Sequence, residues 1–143
     1  MQKHPGSNIL RSAIRHDKPG IRPHAATVST ARMGGGTPPI LTDRGWLSLW
    51  HGVEPSGVVG IYRTYWSILD KDDPSITIAT QHAPLLEANP ALTEPLKDQM
   101  YVDNVVFTTG IADAGDFYVV ASGEADLACR ITHIAKTAFD PPA

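Results

Sequence analysis

LTDRGWLSLWHG at residues 41–52 and IADAGDFYVVASG at residues 111–123 are the two stretches whose shared pattern decides the fold. Each has an apolar lead-in, a turn containing an acidic residue and a glycine, an aromatic-bearing run, and a closing glycine. Asp43-Arg44-Gly45 and Asp113-Ala114-Gly115-Asp116 are turns with glycine where φ > 0 is wanted. Trp46 to Gly52 then alternates, with Trp46, Ser48 and Trp50 on one face and Leu47, Leu49 and His51 on the other. That is the period-two pattern of a strand with two different faces.

Strands continue on either side of both stretches. Pro39 to Thr42 reads as a short strand, and Val58 to Leu69 as a long one whose β-branched and aromatic residues fit a pleated surface. Lys71 to Ser75 is a turn and Ile76 to Thr80 a strand. Residues 81–100 are a polar surface excursion with a helical turn expected near Leu92 to Lys97. Val102 to Ala112, Phe117 to Ser122 and Leu127 to Ala135 complete a second, three-stranded set. Consecutive small sheets joined by tight turns define an all-β chain. The repeat points to propeller blades, with a sandwich as the competing architecture.

Composition narrows the class. Hydrophobic residues are 42% and charged residues 19% of 143, so one domain with a modest core is affordable. Twelve Gly and twelve Pro suit short strands and turns rather than helices. The single cysteine, Cys129, makes no internal disulfide and reads as buried filler. No apolar run approaches the roughly 20 residues of a membrane span and no signal-peptide core is visible, so a cytoplasmic protein is the default expectation. Charge is uneven: residues 1–32 hold six Lys/Arg against one acid, and the remainder six against fourteen. This basic arm has no aromatic residue for base stacking, which argues against nucleic acid. Residues 1–31 show little periodicity beyond one short strand at Asn8 to Ile14. They are expected to be a loop-rich arm or the end of a preceding blade, with residues 32–143 forming two C-terminal blades.

Between the arm and the first repeat lies Arg32-Met33-Gly34-Gly35-Gly36-Thr37-Pro38-Pro39-Ile40. Three glycines without Cβ allow φ > 0 and close approach to backbone N–H groups. With Arg32 before them and His51 at the end of the next strand, the loop reads as an anion nest, or as a tight turn with a solvated arginine. Asp70, Asp72 and Asp73 lack metal-loop spacing and read as a solvated turn, and the remaining histidines have no ligand spacing.

Four blocks in order, RMGGGTPPILTDRGWLSLWHGV, GIYRTYWSILDKDDPS, VDNVVFTTG and GDFYVVASGEAD, resemble the C-terminal part of glycoside hydrolase family 130, β-mannoside phosphorylases and hydrolases. The resemblance runs over residues 32–137. It implies a five-bladed β-propeller with a sugar site at the mouth of its central channel. The chain would supply about two and a half C-terminal blades, and the family's catalytic aspartate would lie outside it.

The resemblance also implies roles. Arg32 stands where the family's phosphate-contacting lysine is found, and its planar fork suits bidentate phosphate contact. His51 matches the histidine of the family's YHGV segment, with Trp50 in place of tyrosine; by its spacing alone it is a core-edge histidine. Tyr62 and Arg63 point to opposite faces of their strand, and Tyr62 is the one expected to face the site. Asn104 and Asp126 match family positions that contact sugar hydroxyls; Asp103 and Glu124 depart from the usual residues beside them. Phosphate binding is thus expected at Arg32, His51 and Tyr62, and sugar binding at Asn104 and Asp126. No cofactor or metal is called for; inorganic phosphate is the co-substrate and a β-mannoside the substrate. The expected activity is inverting phosphorolysis giving mannose 1-phosphate. The alternatives are a hydrolase of the same family, or a catalytically incomplete sugar-binding module that completes its sheets with a homo-oligomeric or N-terminal partner.

Overall fold

The computed structural model describes residues 32–140; the expected strand at Asn8 to Ile14 lies outside them. Among these residues the chain is built from two antiparallel sheets. The first contains β1 (Arg32–Gly35), β2 (Ile40–Thr42), β3 (Gly45–Glu54), β4 (Ile61–Leu69) and β5 (Thr77–Thr80), in the order β1-β3-β4-β5 with β2 also on β3. The second is β6 (Val106–Asp113), β7 (Phe117–Glu124) and β8 (Ala128–Ala135) in sequential order.

β1 and β2 share one edge of β3: Gly35 lies opposite Trp50, and Ile40 opposite Leu47. The break between them falls at Gly36-Thr37-Pro38-Pro39, where two successive residues have no N–H to give a ladder. β3 and β4 form the long hairpin, from Trp46 opposite Leu69 to Glu54 opposite Ile61. The register places Leu47, Leu49, Trp66 and Ile68 on one face, and all four are buried.

That face shares a single core with the second sheet. Val106, Tyr118, Val120 and Ile134 join the four residues above, with Leu86 from the excursion. Phe139, in a terminal 3-10 turn (Lys136–Phe139), closes the core with edge contacts to Trp66 and Tyr118, ring centroids 5.8 and 5.3 Å away. The sheets are also joined through backbone: Tyr62 N–H donates to the carbonyl of Asn104 at 2.9 Å, and Ala125 N–H to that of Val105 at 2.9 Å.

The excursion holds a short helix α1 (Pro90–Thr93) continued by a 3-10 turn (Glu94–Gln99). Asn89 caps α1 by accepting from Ala91 N–H at 3.1 Å. Arginines of both sheets fasten this segment. Arg63 on β4 pairs with Glu87 and Glu54, and Arg130 on β8 donates to the Glu87 carbonyl at 3.0 Å and to Glu124 at 2.8 Å. Glu124 is buried, and its second oxygen accepts from Asn89 N–H at 3.0 Å. The acidic side chain in the SGEAD segment therefore has a structural task.

Several sequence expectations are corrected. The glycine run is not an open nest. Gly34 and Gly35 are strand residues, and positive φ among glycines occurs instead at Gly45, Gly57, Gly60 and Gly115. Val58 and Val59 are turn rather than strand; Gly57 and Gly60 take φ of 53° and 93°, and Gly60 N–H closes onto the Ser56 carbonyl at 2.9 Å. The strand expected from Val102 begins at Val106, because Asn104 at φ 52° turns the chain first. Cys129 is exposed, not buried: it lies opposite Gly123, on the face of β8 away from the core.

Candidate functional site

The register of the first sheet assembles the expected phosphate residues in two adjacent rows. Arg32, Val53 and Tyr62 form one row across β1, β3 and β4; Gly34, His51 and Thr64 form the next. All six are on the face that, one row further, becomes the core at Leu49 and Trp66. Arg63, Glu54 and Tyr65 occupy the opposite face. Of the Tyr62–Arg63 pair it is Tyr62 that stands beside His51, the ring centroids 5.6 Å apart and nearly parallel at 27°. Phe107 of β6 covers the imidazole from the other sheet at 4.7 Å.

Gly34 is glycine for a specific reason. A Cβ there would come within 2.5 Å of His51 Cε1 and 2.6 Å of Nε2, so the ring lies directly on the glycine Cα. Gly36 is equally constrained, since its Cβ would meet Thr108 Oγ1 at 2.5 Å. The N–H groups of Gly36 and Thr37 both point to the Leu49 carbonyl, at 3.0 and 3.4 Å, and so are taken up within the sheet. The glycines make room for side chains of neighbouring strands instead of presenting backbone donors.

Burial pushes the His51 pKa below the ordinary histidine value, with the Gly35 carbonyl beside the ring opposing the shift. The imidazole is therefore more completely neutral at pH 7 than a free histidine, with one N–H donor and no charge. Arg32 carries a full positive charge. Its guanidinium is exposed, and among the described residues its side-chain bond is one from Nη2 to the Val59 carbonyl at 3.0 Å. That tie steadies the arginine and leaves further donors of the fork directed elsewhere.

The expected sugar residues sit across the β3–β4 turn. Ser56 to Gly60 forms the shared wall of two clefts. One, of 190 Å³, is lined by Arg32, Val53 and Glu54; the other, of 250 Å³, by Tyr101, Asp103 and Asn104. Asp126 lines neither. It follows Ala125 in the β7–β8 turn, where both residues have positive φ, and the Ala125–Val105 bond brings that turn beside Asn104. Asn104 and Asp126 are both exposed. The structure thus brings Arg32, His51 and Tyr62 together on one sheet face and sets Asn104 and Asp126 at the junction with the second sheet. Sequence reading missed Phe107 and Thr64 as neighbours of His51. Cross-strand register alone identifies Thr64, while Phe107 requires the packing of the two sheets.

Known proteins resemble this chain over most of its described length. The family model described as beta-1,4-mannooligosaccharide phosphorylase matches residues 22–139. A 1,2-beta-oligomannan phosphorylase of Thermoanaerobacter sp. (strain X514) is 39% identical over 120 residues, covering 84% of this chain and 38% of that protein. A beta-1,2-mannobiose phosphorylase of Listeria innocua is 36% identical over 109 residues, covering 75% of this chain and 28% of that protein. The solved structure of a Listeria innocua beta-1,2-mannobiose phosphorylase in complex with beta-1,2-mannobiose superposes with a TM-score of 0.66 at 29% identity, covering 84% of this chain and 31% of that one. The architecture is therefore part of a five-bladed β-propeller. The chain belongs to glycoside hydrolase family 130. It spans about a third of the length of the relatives it matches.

Proposed function

We propose that this chain is the part of a β-mannoside phosphorylase that gathers inorganic phosphate and contacts the sugar. The carrying observation is the placement of Arg32, His51 and Tyr62 in adjacent rows on one sheet face. The relatives that cover most of the chain are named as phosphorylases of 1,2-β-linked mannosides, which supports that linkage.

In inverting phosphorolysis, phosphate attacks the anomeric carbon from the face opposite the departing glycosidic oxygen, which an acid protonates. The charge of the incoming dianion must be met before it can approach. Arg32 supplies a fixed positive fork, His51 a neutral N–H and Tyr62 a hydroxyl. Asn104 and Asp126 serve as hydrogen-bond partners for sugar hydroxyls. We assign no catalytic acid within residues 32–140; phosphate is the co-substrate, and no metal or cofactor is invoked.

The test is to incubate the full-length protein with β-1,2-mannobiose, with and without phosphate, and to follow mannose 1-phosphate. Its formation only in the presence of phosphate is the expected result. Release of free mannose at a rate independent of phosphate would make the enzyme a hydrolase.

A further inference from the structure

His51 Nδ1 is fully buried and makes no hydrogen bond of normal geometry among the described residues, the Gly35 carbonyl being the acceptor that lies beside the ring. Thr64 Oγ1, Thr108 Oγ1, Thr37 Oγ1, Ser122 Oγ and Thr132 Oγ1 share that condition. The first three lie in the rows around His51. Thr64 stands directly opposite His51 in the β3–β4 ladder, so the two Cβ atoms are about 5 Å apart on the same face. Thr108 Oγ1 sits over Gly36, and Thr37 is the next residue. Buried polar groups almost always find a partner, in the protein or in an ordered water.

The chemistry of the four groups is complementary. A neutral imidazole carries one N–H and one lone pair, and a threonine hydroxyl has one proton to give. If His51 is to offer an N–H to an anion, the proton belongs on Nε2, and Nδ1 must then accept. Thr64 is well placed to donate because its backbone cannot shift. Its N–H donates to the Leu86 carbonyl at 3.0 Å, and its carbonyl accepts from Leu85 N–H at 2.7 Å. Its side chain is wholly buried.

We propose that Thr64 is the positioning residue of His51: its buried hydroxyl donates to Nδ1 through one enclosed water and fixes the ring as the Nε2–H tautomer. This rests on the reading of His51 as a phosphate contact, yet the tautomer is measurable without phosphate.

The experiment is ring-¹⁵N NMR of the full-length protein labelled at histidine, above the titration range, with His51→Gln used to assign the signal. Nε2–H is the expected form. Thr64→Ser, which keeps the hydroxyl, preserves it. Thr64→Val converts the ring to a mixture or to Nδ1–H, and raises the KM for phosphate about tenfold with a smaller change for the mannoside, as loss of an orienting partner does elsewhere. Thr64→Ala removes the hydroxyl without crowding and gives the same readout where valine impairs folding. A wild-type ring protonated at Nδ1, or an Nε2–H signal unchanged in both hydroxyl-free variants, overturns the proposal. A tautomer that responds to Thr64 while inorganic phosphate leaves the His51 signal unmoved would refute the phosphate role and leave the Thr64 assignment standing.

Discussion

Arg32 and Arg130 make an instructive pair, because the same guanidinium group is matched by fixed acceptors in one and, among the described residues, tied to a single carbonyl in the other. Arg130 is mostly covered, donates to the carboxylate of fully buried Glu124 and also reaches the Glu87 carbonyl. Arg63 is committed in the same way to Glu54 and Glu87. Arg32 is exposed and, among the described residues, tied to one carbonyl. A guanidinium whose donors are matched by fixed acceptors holds structure, and one with donors to spare is equipped to hold a ligand. The acidic partners draw the same line: Glu54, Glu87 and Glu124 are all engaged with arginines, and none of them pairs with Arg32.

The contrast breaks most visibly at Glu124. Glu124→Ala leaves Arg130 without its buried carboxylate and Asn89 N–H without an acceptor. It should lower unfolding stability by about 3–5 kcal/mol, read from the urea midpoint at constant slope. The corresponding loss for Arg32→Ala should be about 0.5 kcal/mol or less, as for other exposed side chains away from the core. Equal losses would remove the distinction between clamp and site.

The next effect in size concerns the glycines. Gly34→Ala places a Cβ 2.5 Å from the His51 ring and should cost about 1–3 kcal/mol by overpacking. In a His51→Ala background most of that penalty should vanish, because the ring that the methyl meets is gone; a double-mutant cycle on thermal unfolding measures the coupling. An additive result would mean that Gly34 is needed for its backbone and not for the ring.

A smaller effect appears with pH. The folded-state pKa of His51 is depressed by burial, so between the unfolded value near 6.5 and the lower folded value the unfolded chain binds more protons. This contribution to stability is present above the unfolded pKa and is lost as pH falls toward the folded pKa. His51→Gln should therefore lose less stability than wild type between about pH 7 and about pH 5. An identical decline in the two proteins would show that the ring titrates as freely as in the unfolded chain.

Much of the fold was legible because it rests on local signals. The alternation over Leu47, Leu49 and His51 gave the buried face, and the turn glycines Gly45 and Gly115 take the positive φ their positions called for. Illegible features depended on distant partners. Gly34 looks like loop punctuation until the ring of His51, across the sheet, is laid on it. Val58 looks like a strand residue by its β-branch, but glycines on either side turn the chain and leave it fully exposed. Cys129 was expected in the interior by residue type, whereas strand parity puts it outside. In the candidate site, opposite-facing neighbours such as Tyr62 and Arg63 could be separated from sequence, because parity is a local rule. The Glu124–Arg130–Asn89 contacts could not, because they join two turns and a strand that only tertiary packing brings together.

The most direct test of the phosphate site is the separation of kinetic constants in Arg32→Gln and His51→Gln of the full-length protein. Each should raise the KM for phosphate about tenfold or more, the scale of one lost hydrogen bond to a charged group, while the KM for the mannoside changes less than about twofold. An unchanged phosphate KM in both variants would contradict the assignment of this sheet face to phosphate.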